Sequence, residues 1–401
     1  MNNSSTRFFL IALVFLIILG ARFLFFYKDQ PKLRGGEEIS LETTLLSEPK
    51  VSIRNQIFPI VYKNQRVMVF APVYPEIHYG DRAKITGSLA SKVINNKENF
   101  SINAKIELKK DNSDFILAVS SAIRQKIISF YQQSLNQNFS GLMLGIVFGI
   151  KEYIPSSFVK DLKTAGVMHV IAASGMNVTL VAGFLSSIFL LFFKRQIALV
   201  ISIVGIIIYA VLAGLEPSII RASIMGILVF TASIFGRQTW PLYGLLLAGF
   251  VMLMWDPNLL NDIGFQLSFL ATIGLLYMKP FFKNKILDGF QTTIFAQAAT
   301  LPILVSNFGT YSLWSIVVNS LILWTIPLLM VIGGVSAVIS FIIFPIAKIL
   351  LYLSLPLLIF FESVVRFFSG LSGTIKIENL SWQIVLGYYC LLASFILARN
   401  K

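Results

Sequence analysis

The sequence predicts an α-helical polytopic membrane protein of about ten transmembrane helices, with a small all-β domain of the OB type inserted after the first helix. Of the 401 residues, 56% are hydrophobic and only 13% are charged. The apolar residues fall in repeated runs of about 17 to 20, each long enough to cross a ~30 Å hydrocarbon core. Residues 31–112 instead alternate apolar and polar side chains between turn residues, which is typical of β-strands.

Residues 1–30 form the first predicted transmembrane helix. The apolar run from Phe8 to Tyr27 is longer than the h-region of a signal peptide, and no A-x-A-like cleavage site follows it. We therefore expect this helix to be retained. Arg22 interrupts the run, and we expect its aliphatic stem to let the guanidinium reach the outer membrane interface.

Residues 31–112 form the predicted β domain. Turn residues are expected at Lys63–Gln65 and at Tyr79–Asp81. Five strands in such a short segment favour a Greek-key barrel of the OB type. The predicted strands are Ile39–Leu46, Ile57–Tyr62, Arg66–Ala71, Ala83–Leu89 and Phe100–Leu108.

Residues 113–166 form a predicted interfacial helical region. Between Asp114 and Gln132 the apolar residues recur every three to four positions, as in an amphipathic helix, but the run carries charge and is too polar to span a bilayer. We expect this helix to lie on the outer surface of the membrane. Packing against the β domain is an equally good alternative.

Residues 167–401 form the predicted polytopic membrane domain. Basic residues at alternate ends of its helices place both chain termini in the cytoplasm and residues 28–168 outside. The apolar segment 311–324 is left over and is expected to be half-inserted and covered by protein. The nine predicted helices are 169–193, 196–214, 217–235, 240–255, 263–279, 289–306, 325–344, 346–364 and 382–398.

Net charge and residue counts exclude several classes of chemistry. Residues 28–114 hold 14 Lys/Arg against 11 Asp/Glu, so most of the +14 net charge belongs to the membrane part, where positive-inside topology accounts for much of it. The only cysteine is Cys390 and the only histidines are His78 and His169, without a metal-ligand spacing. We therefore expect no intrachain disulfide, metal site or other cofactor. No P-loop is present to hydrolyse a nucleotide.

Four sequence runs resemble, in this order, the membrane domain of ComEC-type competence proteins. They are Ala165–Thr179, Leu212–Gly226, Asp262–Ala271 and Ala296–Gly309. The chain departs from that family in two respects. Asn177 replaces a second histidine that is common in the H-x-x-A-x-S-G-x-H motif, and the sequence stops at Lys401 without the metallo-β-lactamase-like domain of many members. We therefore expect no nuclease or other enzymatic activity in this chain.

The resemblance implies a channel component that imports single-stranded DNA across the cytoplasmic membrane during natural transformation. It also implies a cytoplasmic helicase or ATPase and a surface DNA receptor as partners, and a nuclease would have to be a separate protein. Two alternatives stay open: a transporter of small solutes or lipids, and a membrane assembly scaffold that transports nothing. A solute carrier commonly shows internal repeats, and we find no clear repeat.

Polar side chains within the predicted spans are the candidates for lining a channel. The alternative for each is an interhelical hydrogen bond that stabilises the bundle. Ala172–Gly175 is also faintly similar to the serine motif of rhomboid proteases, but no histidine follows His169 to act as the base. The channel-lining candidates are His169, Ser174, Asn177, Arg221, Gln266, Gln297 and Asn319.

The β domain carries four candidate DNA-binding residues, Lys63, Arg66, Arg82 and Lys84. OB barrels bind single strands through a basic groove with aromatic stacking platforms. The small net charge of this domain is, however, ordinary for a solvated domain. DNA binding by the β domain alone is therefore an open alternative.

The topology can be tested by cysteine labelling in a Cys390→Ser background. A cysteine at position 95 should react with a membrane-impermeant maleimide added to intact cells, because the basic loops place this segment outside. A cysteine at position 284 should react only after the membrane is permeabilised. The opposite pattern would invert the topology and contradict an external β domain.

Overall fold

The computed structural model describes residues 3–28, 33, 35–52, 55–94, 97–109, 115–171, 174–278, 285–371, 373–376 and 381–400. Pro31, Asn95, Asn112, Ala172–Ala173 and Asn284, which bear on the sequence predictions, lie outside these ranges. The chain is mostly helical with a small β region near its N-terminus. It divides into two compact units, the first comprising Met1–Gln125 and Tyr243–Leu260, the second Lys126–Leu242 and Asn261–Lys401.

The strands and helices are numbered in chain order. The strands are β1 (Glu38–Thr44), β2 (Lys50–Val51), β3 (Asn55–Tyr62), β4 (Gln65–Pro72), β5 (Arg82–Ile94), β6 (Lys97–Leu108), β7 (Thr310–Ser312) and β8 (Thr374–Lys376). The helices are α1 (Asn3–Lys28), α2 (Phe115–Ser134), α3 (Gln137–Phe148), α4 (Ser156–Thr164), α5 (Met168–Ile171), α6 (Gly175–Phe192), α7 (Arg195–Leu212), α8 (Pro217–Ile234), α9 (Pro241–Trp255), α10 (Ile263–Tyr277), α11 (Lys285–Phe308), α12 (Ser315–Ile322), α13 (Thr325–Ser340), α14 (Phe344–Tyr352), α15 (Leu355–Ser369) and α16 (Trp382–Asn400).

In the first unit, six strands form one sheet in the order β1-β5-β6-β4-β3-β2. β4 pairs with β6 in parallel, and the other pairs are antiparallel. The two edge strands are neighbours in sequence, with Thr44 ending β1 and Lys50 starting β2. A flat sheet would separate these edges by ~24 Å at ~4.8 Å per strand, whereas the link can span at most ~21 Å. The sheet must therefore curve so that its edges approach each other.

Alternation along the strands places one apolar face in the core of the β domain. On β5, Ala83, Ile85 and Leu89 are buried, while Arg82 and Lys84 lie on the opposite face, as the sequence predicts. The predicted hairpin turn is also confirmed. Lys63 and Asn64 both have positive φ, +48° and +61°, as a two-residue turn that matches the strand twist requires. β2 was not predicted, because two residues carry no detectable alternation.

The first half of α2 packs against the β domain, which was one of the two sequence alternatives. The Arg124 guanidinium lies 4.2 Å from the centre of the Tyr79 ring. Gly80 faces the backbone of α2, and a Cβ atom at Gly80 would lie 2.9 Å from the Leu117 carbonyl oxygen. At the start of the same helix, Phe115 and Ile116 are 77% and 71% exposed.

A buried carboxylate joins these elements. Glu48, in the link between β1 and β2, has a side chain that is only 1% exposed. It lies 3.1 Å from Nδ1 of His78 and 3.8 Å from Nη2 of Arg124. It also accepts hydrogen bonds from the backbone N–H of Tyr79 at 3.3 Å and from Nε2 of Gln125 at 3.2 Å. These donors compensate the burial of the charge.

The same contacts shift two pKa values in opposite directions. Burial acts to raise the pKa of Glu48, but the hydrogen bond from His78 and the charge of Arg124 outweigh burial and hold this pKa below its ordinary value. The hydrogen bond to Glu48 raises the pKa of His78, against the effect of partial burial. Folding therefore favours the ionised acid and the protonated histidine.

This pair predicts a pH-dependent contribution to the stability of the β domain. The contribution of His78 should be present below its ordinary pKa of about 6.5 and be lost as pH rises through the raised pKa of the folded state. Its size should not exceed about 1 kcal/mol, because a third of this side chain is exposed and solvent screens the pair. The difference between the full-length chain and its His78→Ala variant should thus shrink between pH 6 and 9, as measured by hydrogen exchange of β-domain peptides corrected for intrinsic rates.

Glu48→Gln provides the control for this prediction. If the pair is responsible, His78→Ala in the Glu48→Gln background should have a much smaller pH-dependent effect on hydrogen exchange, because only the weaker effects of Asp81 and Glu76 on the pKa of His78 then remain. A His78→Ala effect that is the same at every pH would contradict the assignment.

In the second unit, α3 differs from the interfacial prediction for residues 113–166. All residues from Phe139 to Phe148 are buried. Glycines on this helix allow the close approach of neighbouring chain segments. A Cβ atom at Gly141 would lie 2.8 Å from the Tyr153 carbonyl oxygen, and one at Gly145 would clash with the Ile171 side chain. A helix that is apolar on all sides belongs inside a bundle rather than at an interface.

Within the described residues, three helical stretches are long and apolar enough to span a membrane: Met168–Phe192, which comprises α5 and α6, and helices α7 and α8. Two pairs of helices pass the same test only together and are bent, α12–α13 by 48° and α14–α15 by 45°. Helices α3, α9 and α10 and the segment Trp382–Ala398 of α16 are apolar but shorter. The count of ten spans stays a prediction.

The bends differ from two sequence predictions. The helix predicted at 346–364 is broken between α14 and α15, because Pro356 lacks an N–H donor and lies in the first turn of α15. The segment 311–324, predicted to be half-inserted, contains the end of strand β7 and the short helix α12. β7 pairs with β8. The segment therefore contains a paired strand and a helix, where the sequence predicted irregular backbone.

Candidate functional site

Arg221 is the central charged group of the helical unit. It lies in the second turn of α8 and is only 8% exposed. Its Nε donates to Oγ of Ser268 at 2.8 Å, and its Nη1 donates to Oγ1 of Thr272 at 2.6 Å. The two hydroxyl residues are four positions apart on α10 and therefore share one face. Nη1 also lies 3.6 Å from the sulfur of Met225.

The acids that could neutralise Arg221 bind other groups. Glu216 lies 3.3 Å from Nζ of Lys151. Asp262 precedes α10 and accepts a hydrogen bond from the backbone N–H of Phe265 at 2.9 Å, which caps this helix. Among the residues that the structure describes, no carboxylate lies within ion-pair distance of Arg221. Within the described part of the chain, the partners of Arg221 are therefore all uncharged, including the ring of Phe269 at 5.9 Å from the guanidinium carbon.

The guanidinium of Arg221 packs against the first residue of α6. A Cβ atom at Gly175 would lie 2.6 Å from Nη2 of Arg221 and 3.5 Å from the Ala222 side chain. Only glycine leaves room for the guanidinium in this position. The sequence motif that contains Gly175 is thus in direct contact with the motif that contains Arg221.

Asn177 connects α6 to the end of α3. Its Nδ2 donates to the carbonyl oxygen of Ile146 at 2.8 Å, and the hydroxyl of Tyr209 donates to that of Val147 at 2.9 Å. The last four carbonyl oxygens of a helix receive no hydrogen bond from an N–H group of the same helix, so they need donors from elsewhere. Asn177 also accepts a hydrogen bond from Oγ of Ser174 at 3.1 Å. These contacts favour the structural alternative for Ser174 and Asn177.

His169 and Asn319 form a polar pair in which Asn319 is buried and His169 is exposed. Nε2 of His169 lies 3.1 Å from Nδ2 of Asn319. Which of the two atoms donates depends on the tautomer of the imidazole. Oδ1 of Asn319 is buried and has no hydrogen-bond partner among the described residues. This oxygen is a free acceptor next to the histidine.

Gln297, on α11, belongs to a second polar group, which contacts α12, the helix that carries Asn319. Its Oε1 accepts hydrogen bonds from the hydroxyl of Tyr311 at 3.1 Å and from Oγ of Ser315 at 3.3 Å. Ser315 and Asn319 are four positions apart on α12 and share one face. The structure therefore brings His169, Gln297 and Asn319 to one short helix.

The channel-lining candidates thus fall into three groups, around Arg221, around Asn177 and along α12. Gln266 is two positions from Ser268 on α10 and points to another side of that helix. A continuous hydrophilic path through these groups stays a prediction. Sequence reasoning missed Thr272 and Tyr209. Thr272 could have been found from its spacing of four residues to Ser268, whereas a lone tyrosine in an apolar run gives no such signal.

The structure does not arrange the four basic candidates of the β domain in one strip. Lys63 pairs with Glu37, and Arg82 lies 3.9 Å from Glu42. In the sheet register, Lys84 is opposite Glu42 on one side and Glu107 on the other. Acidic residues therefore accompany three of the four bases.

The sheet register also separates the bases. Val67, which follows Arg66, pairs with Phe100, and Phe100 pairs with Ser91 on β5. Arg82 lies at the start of β5, nine residues before Ser91, which is roughly 30 Å along a strand. Arg66 and Arg82 thus belong to different ends of the sheet.

No metal site can be assigned from the side chains. Among the described residues, no group of three or more His, Cys, Asp and Glu side chains is arranged to hold a metal ion.

The apolar helices and the buried polar groups between them define a membrane protein. The family model "Competence protein" matches residues 146–401. This match covers more than half of the chain, so the chain belongs to the Competence protein family, and the resemblance found in its four sequence runs is confirmed.

Two relatives extend this comparison. The chain is 28% identical over 204 residues to ComE operon protein 3 of Bacillus subtilis (strain 168), covering 50% of this chain and 26% of that protein. It is 25% identical over 338 residues to an uncharacterized protein of Aquifex aeolicus (strain VF5), covering 81% of this chain and 76% of that protein. The match thus spans about a quarter of the Bacillus relative. No solved structure matches the chain.

The hydrogen bonds of Asn177 predict a structural role that can be measured. Asn177→Ala should lower the free energy of unfolding by about 1–3 kcal/mol, because it leaves a buried carbonyl without a donor. The readout is the thermal unfolding of the full-length chain in detergent. Thr179→Ala is the control, because Thr179 is exposed and donates only to Gly175 in its own helix. Equal stability of the two variants would contradict the structural role.

Proposed function

We propose that this protein is a membrane channel component that imports single-stranded DNA across the cytoplasmic membrane during natural transformation. Membership of the Competence protein family supports a role in DNA uptake. The similarity to ComE operon protein 3 supports the same role.

The observation that carries the channel role is Arg221. Removing a charge from water without an opposite charge is costly, and a buried guanidinium normally has a carboxylate partner. Among the described residues, Arg221 has two hydroxyls, a thioether sulfur and the ring of Phe269, 5.9 Å away, as partners, and none of them carries a negative charge. A passing phosphodiester supplies the missing negative charge for as long as it stays. A passive conduit needs such transient compensation rather than tight binding.

The proposed architecture has about ten spans, cytoplasmic N- and C-termini and an external β domain of the OB type. The curved sheet supports the barrel, because its strand order brings the two edge strands together. Counting β1 and β2 as one bent strand leaves five strands, the number in an OB barrel. The alternation of basic loops supports the topology.

The proposed channel depends on partners for energy and for DNA handling. No nucleotide-hydrolysing motif occurs in the sequence, so a cytoplasmic helicase or ATPase would pull the strand. A surface receptor would deliver DNA, and a separate nuclease would remove the complementary strand. The protein itself is proposed to have no enzymatic activity.

A small-solute transporter is the second candidate. The two bent helix pairs α12–α13 and α14–α15 favour it, because broken helices form many substrate sites in secondary transporters. A lipid transporter or an assembly scaffold has no comparable support from the described residues. A solute transporter would retain its function in a host that cannot take up DNA, which separates the two candidates.

The DNA-channel proposal predicts a specific uptake defect in a transformable host. Arg221→Ala should reduce the transfer of labelled DNA into the cytoplasm by at least about tenfold, whereas DNA bound at the cell surface should not change. Arg221→Lys should retain part of the transfer, because it keeps the charge without the planar fork of donors. The measurement separates DNA that is protected from external nuclease from DNA that is bound outside.

Arg237→Ala is the matched control. Arg237 follows α8 and is exposed, so this variant removes a charge without touching the buried site. Normal uptake by Arg221→Ala at normal protein abundance would refute the conduit role of Arg221. Loss of the Arg221→Ala protein from the membrane would instead indicate a structural role.

A further inference from the structure

The N-terminus of α6 presents backbone donors without a capping side chain. The first N–H groups of a helix have no acceptor within the helix. Ser174 occupies the N-cap position with extended φ and ψ of −117° and 166°, but its side chain makes no capping hydrogen bond. Its hydroxyl donates to Asn177 instead. In the first turn of this 18-residue helix, the N–H of Asn177 donates to the Ser174 carbonyl oxygen at 3.1 Å, whereas the N–H groups of Gly175 and Met176 have no acceptor among the described residues.

Arg221 brings a second positive group to the same place. Its Nε and Nη1 are taken by Ser268 and Thr272, but Nη2 has no hydrogen-bond partner among the described residues. Nη2 is the atom that packs against Gly175, the first residue of α6. The positive end of a helix dipole and a guanidinium repel each other. Their contact is therefore favourable only when an acceptor of negative charge joins them.

We propose that Nη2 of Arg221 and the first-turn N–H groups of α6 form an anion-binding site for a phosphate oxygen. The proposal rests on the channel function, because it takes the phosphate from the backbone of a single-stranded nucleic acid. Helix N-termini and guanidinium groups both bind phosphate through charge-assisted hydrogen bonds. Free phosphate and lipid headgroups have the same chemistry and are separated by the experiment below.

Gly175 is the residue that determines this geometry. A methyl group at this position would lie 2.6 Å from Nη2 and displace the guanidinium from the helix terminus. Gly183, on the same helix, has no atom within 4 Å of the position of its Cβ. Gly175→Ala should therefore disrupt the site, and Gly183→Ala is its matched control.

The test measures the local electrostatic potential with a cysteine at the helix terminus. Met176→Cys, in a Cys390→Ser background, is reacted with methanethiosulfonate reagents that carry either a sulfonate or a trimethylammonium group. The reaction rates are divided by those of a free thiol. Purified protein in phosphatidylcholine nanodiscs should favour the anionic reagent, and Arg221→Gln should reduce this preference by about tenfold. Gly175→Ala should reduce it as well, whereas Gly183→Ala should not.

Protection experiments then identify the source of the phosphate. A short oligothymidylate should slow the reaction of Met176→Cys with the anionic reagent at least about threefold, and Arg221→Gln should abolish this protection. Protection by inorganic phosphate alone would show that the anion site exists but would overturn its assignment to nucleic acid. Full protection by phosphatidylglycerol in the nanodisc, with no further effect of oligothymidylate, would assign the site to lipid.

The remaining outcomes separate this site from the channel itself. If Arg221→Gln leaves the reagent preference unchanged in a protein with normal thermal stability, the anion site is refuted. DNA uptake that still depends on Arg221 would then preserve the channel function without this site. If the Arg221→Gln protein does not fold, the comparison of Gly175→Ala with Gly183→Ala decides the question.

Discussion

The helical unit depends on one constraint: polar groups in an apolar bundle must find their partners within the protein, because hydrocarbon offers none. The end of α3 shows how this constraint organises the fold. Its last carbonyls lie inside the bundle and receive donors from Asn177 on α6 and Tyr209 on α7. Two helices are thereby held at defined positions around a third. Glycines on α3 complete the arrangement by allowing its neighbours to approach closely.

Arg221 obeys the same constraint only in part, and this distinguishes it from the structural polar groups. Asn177 has a donor and an acceptor contact, both with good geometry. Arg221 has two hydroxyl partners that satisfy hydrogen bonds but carry no opposite charge. The difference matters because hydrogen bonding alone does not compensate a buried ion. An incompletely compensated charge inside a helical bundle is a feature of functional sites rather than of structural ones.

The sequence alone predicted the positions of most elements but not their partners. Helix α8 was placed at 217–235 and is observed at Pro217–Ile234, because Pro217 marks its start and the apolar run determines its length. Alternation likewise located the five main strands of the β domain. The burial of α3 could not be predicted, since an apolar run of 12 residues suits both a core helix and an interfacial segment. The contacts of Arg221 with α10 and with Gly175 could not be predicted either, because residue spacing within one helix does not show which other helices it packs against.

Asn177 occupies a motif position where the family resemblance implies a histidine. Many ComEC-type proteins have a histidine there, and a neutral imidazole offers one donor and one acceptor. The asparagine amide offers both as well, and here it uses them for the Ile146 carbonyl and the Ser174 hydroxyl. Asn177 therefore supplies both a donor and an acceptor without a titratable group. The hydrogen bonds of Asn177 at the start of α6 then do not depend on pH, and Arg221 is the charged residue that the described part of the chain brings into contact with this helix terminus.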